Sequence, residues 1–384
     1  RRRCAAGSVG GGAAEAGAGG KVDVVDGDGE DEPGATVAAA AGNGAVAANG
    51  TAGVANGAGA GAAEEAAQPK AGRKWKDLTV RVVAGLGLLA IGGTCIVAGG
   101  WPYGLWVSLI SYFCAVEYEA FITSRRRKFR PPPTLVRNAL TATCVGINVA
   151  TAAGVRTGVF EVGAFVLLVA LLLERSTQEK AKNQRVRLTQ LTSIVFGLFY
   201  CGYLPSFWIR LRDIGSMLPV SATTVLDAAG NLWPVGLVAT LVPILIVVAA
   251  DTGAYLGGKA FGQNPLISIS PKKTWEGAWA GLVAACAASL LMQWWFAWPT
   301  HPIWSITLAC GVFVSSLFGD LIESSMKREA KMKDSGDIIP GHGGILDRFD
   351  SYIFTGALVY FFWYWYYWTK GLRLSNLFTA MGAV

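Results

Sequence analysis

Between Ser324 and Asp350 the chain reads SSMKREAKMKDSGDIIPGHGGILDRFD, a loop with five Lys/Arg, six Asp/Glu/His and four Gly between two apolar segments. Charge this dense beside an apolar run is costly unless it binds something charged. Just upstream, Asp320 follows the run VFVSSLFG. Asp320, Glu323, Ser324, Lys327 and Lys331 recur at three- and four-residue spacing, so a continued helix puts them on one face. Carboxylates followed by cations on one stripe suit a metal ion with phosphate oxygens beside it. The plain alternative, a solvated helix end with ion pairs, is weakened by the position of Asp320 at a membrane boundary. Downstream, Pro340-Gly341-His342-Gly343-Gly344 frees main-chain amides to approach an anion, and Asp347 and Asp350 can bind a hard cation through oxygen. A lone HGG or DRxD would read first as a Gly-rich turn with surface charges; joined to the upstream S-x-M-K-R-x4-K-D, the stretch reads as a site.

Asp251 lies inside PILIVVAADTGAYLGG, and an intramembrane carboxylate is a candidate site residue by default. The segment SPKKTWEG follows at Ser270–Gly277, where Lys272 and Lys273 are compact point charges suited to a triphosphate or a phosphate headgroup. A juxtamembrane pair attracted to anionic lipid is the alternative. Glu117 and Glu119 are weaker signals, explained as interface carboxylates answered by Arg125–Arg127. His301, in a short loop on the opposite face, reads as incidental. The only other histidine is His342, so a metal site here must be oxygen-rich, favouring Mg²⁺ over Zn²⁺.

These residues need a membrane scaffold. Mean hydropathy is +0.41 and only 15% of residues are charged, outside the range of an ordinary soluble domain. Residues 1–70 are mostly Ala, Gly, Val and Asn with an acidic run at Asp23–Glu32, a composition that cannot bury a core. They read as a disordered spacer or the remnant of an organellar transit peptide, and the start at Arg1 as a processed or incomplete chain. Beyond them stand 28 Lys/Arg against 17 Asp/Glu, which points to anionic headgroups or phosphates as partners. Six of the seven cysteines fall in apolar segments and none forms a CxxC, so small apolar packing is expected rather than a disulfide framework or a zinc site.

The expected fold is an all-α integral membrane protein with about nine spans. These lie near Val82–Gly99, Gly104–Ile122, Leu135–Gly154, Val159–Leu173, Leu188–Ile209, Val235–Gly257, Ala278–Trp298, Pro302–Gly319 and Ser351–Trp368. The last ends in FFWYWYYW, an aromatic interface belt. Nine spans place 23 basic residues on one side (Lys70–Arg81, Arg125–Arg130, Arg175–Arg187, Lys259–Lys273 and Lys327–Arg348) and five on the other (Arg156, Arg210, Arg212, Lys370 and Arg373). The positive-inside rule then puts the N-terminus and the polar site at the cytosolic or stromal face. The organisation expected is a 1–70 spacer, N-terminal membrane helices over 71–230 and a catalytic membrane region over 231–384.

The pattern S-x-M-K-R-x4-K-D-x-G-x2-I-P-x-H-G-G-I-x-D-R-F-D, with D-x-x-A-Y from Asp251 and S-P-K-K-T-W-E-G from Ser270, resembles the fingerprint of phosphatidate cytidylyltransferases (CDP-diacylglycerol synthases), plastid and bacterial-like type. The likeness spans roughly residues 75–370 and is sharp over Asp251–Gly277 and Gly319–Asp350. It implies an integral membrane enzyme that joins CTP and phosphatidate into CDP-diacylglycerol and pyrophosphate, within phospholipid (phosphatidylglycerol) synthesis. Asp320 and Asp347 correspond to the family's metal-binding aspartates, taking Mg²⁺ and allowing a second, monovalent cation such as K⁺. Lys327, Arg328 and Lys333 are expected on phosphates, with Lys272 and Lys273. Asp251, Ser324, His342, Gly343, Gly344, Arg348 and Asp350 complete the substrate side. The chemistry fits: a phosphatidate oxygen attacks the α-phosphorus in line, so the protein has mainly to position and neutralise two polyanions. No side-chain nucleophile is required. The partners expected are CTP, phosphatidate and bilayer lipids, with a homodimer allowed and no nucleic acid, and the compartment is the plastid inner envelope. A CTP-dependent polyprenol or phytol kinase is the nearest alternative. A non-enzymatic transporter should instead show matched, broken helices in two repeats, and no internal repeat is evident.

Overall fold

The computed structural model describes residues 70–124, 131–155, 157–179, 188–217, 223–267, 270–298, 300–336, 338 and 343–369, all within the unit Gln68–Val384. The spacer through residue 69, Arg125–Arg130, Arg156, residues 180–187, His342, Lys370 and Arg373 lie outside the described residues.

Among the described residues ten α-helices carry the fold: α1 (Lys70–Ala98), α2 (Gly100–Thr123), α3 (Thr134–Ala152), α4 (Val159–Glu179), α5 (Leu188–Gly197), α6 (Leu204–Arg212), α7 (Val235–Phe261), α8 (Trp275–Trp295), α9 (Pro302–Ala330) and α10 (Leu346–Thr369). Each expected apolar segment coincides with helix, α5 and α6 together forming the fifth. Among the described residues, five stretches are long and apolar enough to cross a membrane: Gly100–Thr123, Thr189–Arg212, Val235–Phe261, Trp275–Trp295 and Pro302–Ala330. The Thr and Asn residues of α3 and the Tyr and Trp residues of α10 keep those helices less apolar. The structure adds two short antiparallel hairpins to the expected all-helical fold, β1 (Thr224–Leu226) with β2 (Leu232–Pro234) and β3 (Pro265–Ile267) with β4 (Ser270–Thr274).

Local chemistry explains the irregular points. Gly99 and Gly100 both take positive φ, which lets α1 turn directly into α2. The Arg212 guanidinium caps the end of α1 by donating from Nε to the Ile96 carbonyl (2.8 Å). Between α5 and α6 the chain makes a π-helical turn, Leu198–Tyr203, with Pro205 just after it. Its carbonyls find buried partners: Ser111 Oγ donates to Cys201 O (2.5 Å) and Asn148 Nδ2 to Gly202 O (3.1 Å). His301 has a structural job, its Nδ1 accepting from Ile303 N at the start of α9.

Small residues decide how the helices pack. A Cβ on Gly257 would lie 2.3 Å from Ala280 Cβ, and one on Gly253 2.5 Å from Ala284 Cβ, so α7 and α8 meet along a small-residue seam. A Cβ on Gly319 would lie 2.1 Å from the Asp350 carbonyl oxygen, so α9 and α10 touch at the level of Asp320. Two buried apolar clusters result, one centred on α2, α3, α5 and the start of α10, the other on α6, α7, α9 and the end of α10. Neither is confined to one side of residue 230. Cys114, Cys144 and Cys201 are free thiols buried in the first. Large apolar side chains on the outer faces of α7 and α8, among them Leu256, Trp279, Val283 and Trp294, stay exposed, as lipid-facing surfaces require. The aromatic end of α10 divides its rings: Trp363 packs on Trp298, while Tyr364 and Trp365 face outward.

Candidate active site

The segment from α7 to α8 builds the first wall of the site. Thr274 caps α8, its Oγ1 accepting from Gly277 N (3.2 Å). Glu276 closes the preceding turn, accepting from Asn264 Nδ2 (2.8 Å) and from the amides of Gln263 and Asn264. Gly277 permits close approach, since a Cβ there would lie 2.8 Å from Ala254 O. In SPKKTWEG, therefore, T, E and G fold the hairpin back, and the two lysines are the residues it presents.

They are presented to a cavity of about 290 Å³ between α7, α8 and α9, lined by Asp251, Lys272, Lys273, Thr274, Ser316 and Asp320 among others. Lys273 Nζ pairs with Asp320 Oδ2 at 2.5 Å, and Ser351 Oγ donates to Asp320 Oδ1. Ser316 hydrogen-bonds Asp251. Residues widely separated in sequence thus form one polar pocket in an apolar setting, where charge-assisted bonds are strong.

One turn on, α9 carries a second polar centre. Lys327 pairs with Glu323, which is 1% exposed, and with Asp347 Oδ1 at 3.0 Å. Asp347 also accepts from Ser335 N (3.0 Å) and Gly344 N (3.1 Å), so it sits at the mouth of α10 as the anchor of the Gly-rich loop. Burial alone would raise the Asp347 carboxyl, but the bonds from Glu323, Ser335, Lys327 and Gly344 outweigh it and hold it well below the ordinary carboxylate range. Gly343, at φ +83°, supplies the left-handed turn ahead of Gly344.

The structure therefore gathers Asp251, Lys272, Lys273 and Asp320 around one cavity and ties Lys327, Asp347, Gly343 and Gly344 into the adjoining loop. Asp350 lies at the α9–α10 contact, its Oδ1 accepting from Ser351 N. Ser324 is half-buried on α9, whereas Arg328, Lys333 and Arg348 are exposed. Lys331 leaves the expected stripe: α9 ends at Ala330, and Lys331 takes a left-handed conformation (φ 53°) while Met332 N donates back to Lys327 O (2.9 Å). His342 falls outside the described residues.

Sequence reasoning missed Ser335 and Ser351, whose value lies wholly in long-range partners. Glu117 has partners the sequence did not suggest, and its expected partners Arg125–Arg127 lie outside the described residues. It is 3% exposed and accepts from Ser335 Oγ (2.6 Å), Ile345 N (2.8 Å) and Leu346 N (2.8 Å). The intramembrane-carboxylate argument that singled out Asp251 was the available signal for it. Glu119 accepts from Thr141 Oγ1 at 2.7 Å.

A model of the cytidylyltransferase family matches residues 79–366. Over 296 residues the chain is 44% identical to phosphatidate cytidylyltransferase 5, chloroplastic, of Arabidopsis thaliana, covering 73% of this chain and 71% of that protein. It is 42% identical over 303 residues to phosphatidate cytidylyltransferase 4, chloroplastic, of the same plant, covering 76% and 74%. To the phosphatidate cytidylyltransferase of Synechocystis sp. it is 32% identical over 292 residues, covering 74% of this chain and 96% of that protein.

Proposed function

The chain belongs to the cytidylyltransferase family, and we propose that it is the nucleotidyltransferase that joins CTP to phosphatidate, giving CDP-diacylglycerol and pyrophosphate. The observation that carries this reading at the level of chemistry is the cavity where Lys272 and Lys273 meet Asp251 and Asp320 beside exposed apolar helix faces. A water-soluble triphosphate and a lipid phosphate can meet there.

In the reaction a phosphatidate oxygen forms a bond to the α-phosphorus of CTP as the bond to the β-phosphate oxygen breaks, and pyrophosphate carries off the electron pair. Lys272, Lys273 and Lys327 neutralise the phosphates and hold them in line, while Arg328, Lys333 and Arg348 draw the polyanions from solvent. Ser324 and Asp350 border the bound phosphates. The Gly343 amide, with His342, binds the nucleotide, and Gly344, its own amide held by Asp347, shapes the turn that presents them.

The donors present fit a hard cation. Asp320, Asp251, Ser316 and Ser351 offer only oxygen, and the lysines on Asp320 and Asp347 mark both carboxylates as acceptors of positive charge. Mg²⁺ is commonly held by one or two carboxylates and completed by substrate phosphates. Asp320 and Asp347 would hold it, and when bound it would offset the charge on the departing pyrophosphate. A monovalent ion such as K⁺ would find the same oxygen chemistry.

The protein crosses the membrane nine times, with its basic loops, N-terminus and site on the stromal face of the plastid inner envelope. The 23-to-5 split of basic residues and the chloroplastic relatives support this placement. Purified protein given CTP, phosphatidate and Mg²⁺ should release pyrophosphate and a cytidine-containing lipid, and chelating the metal should stop both. A phosphorylated alcohol formed from phytol or a polyprenol, with no cytidine in the lipid, would replace this reading with a kinase.

A further inference from the structure

Glu117, on α2, has no part in the chemistry described above, yet it is buried and accepts three hydrogen bonds from the far end of the chain. Its hydrogen-bond partners among the described residues are the Ser335 hydroxyl and the Ile345 and Leu346 amides, which lie 218 to 229 positions away in sequence. Those amides are orphan donors at the start of α10, where a negative charge is most favourable. The surrounding residues are small by necessity. A Cβ on Gly344 would lie 1.9 Å from Ser335 Oγ and 2.3 Å from Glu117 Oε2, and one on Gly336 2.9 Å from Glu117 Oε1.

Two carboxylates thus grip the same loop. Ser335 gives its amide to Asp347 and its hydroxyl to Glu117, while Gly344 gives its amide to Asp347 as its two successors give theirs to Glu117. We propose that Glu117 is a positioning residue for cytidylyl transfer: through Ser335 and the first amides of α10 it fixes Asp347 and Gly344 beside Lys327. The inference rests on the proposed reaction for its kinetic consequence, but the latch itself needs no substrate.

Glu117→Gln keeps the shape but sets an NH₂ against at least one main-chain donor. Its kcat should fall about 10- to 100-fold, as when the support of a site residue is lost, while KM for phosphatidate stays within about twofold. Trypsin should cut after Lys331 and Lys333 in detergent several-fold faster than in wild type, without any ligand. Ser335→Ala should show the same pattern more mildly, and Glu117→Gln/Ser335→Ala should be no slower than Glu117→Gln alone. If Glu117→Gln does not fold, the kinetics and cleavage of Ser335→Ala decide. Wild-type kcat and cleavage in folded variants would overturn the proposal, as would strictly additive losses that track thermal stability alone. If the wild type makes no cytidine lipid but the variants still expose the loop, the latch stands and the reaction falls.

Discussion

At the residue scale, Asp320 and Asp347 carry the greatest burden of the proposed reaction. Each is paired with a lysine and braced by hydroxyl or amide donors, so replacing it with Asn keeps the shape and removes the charge. Turnover of Asp320→Asn or Asp347→Asn should drop by about 10²-fold or more, and the double variant should be little worse than either single one because the proposed metal site joins them as a unit. Lys331→Gln, at a left-handed cap away from the cavity, should stay near wild-type turnover. Thermal melts must accompany the assays, since unpairing a buried charge can cost about 3–5 kcal/mol. Asp320, Lys272 and Lys273 were legible because dense charge beside an apolar run is anomalous in any chain. Ser335 and Ser351 were not: a serine in sequence looks alike whether it is solvated or holds a carboxylate.

At the element scale, glycines set the distances between functional side chains. Asp251 on α7 faces the lysines ahead of α8 only because the two helices pack along Gly253, Gly257 and Gly277. Gly257→Val should wedge them apart, costing about 1–3 kcal/mol and lowering activity as Asp251 leaves the lysines. Gly85→Ala, with nothing within 4 Å, should change stability by no more than about 0.5 kcal/mol. Denaturation and turnover of the purified variants check both. The helices were readable from apolar run length. The β3–β4 hairpin and the π turn were not, because both are fixed by partners elsewhere: Glu276 on the hairpin's approach, Ser111 and Asn148 on the π-turn carbonyls.

At the scale of the whole molecule, α7 has 27 residues, so it is about 40 Å long, more than the roughly 30 Å apolar core of a bilayer. Single cysteines at Ala229 and Gln263, exposed positions before and after it, should react with an impermeant thiol reagent from opposite sides of sealed vesicles when the native cysteines are replaced. Labelling of both from one side would rule out the proposed topology. Deleting residues 1–70, whose composition cannot form a core, should leave turnover in detergent within about twofold. A folded but inactive truncation would refute the spacer reading.

The central claim is that the bond made is to the α-phosphorus of CTP. Its most direct measurement follows two labels in parallel reactions of the purified protein with phosphatidate and Mg²⁺. Phosphorus label at the α-position should move into the lipid fraction, while label at the γ-position should leave entirely as pyrophosphate. Label from the γ-position in the lipid, with α-label remaining in soluble CDP, would contradict the account.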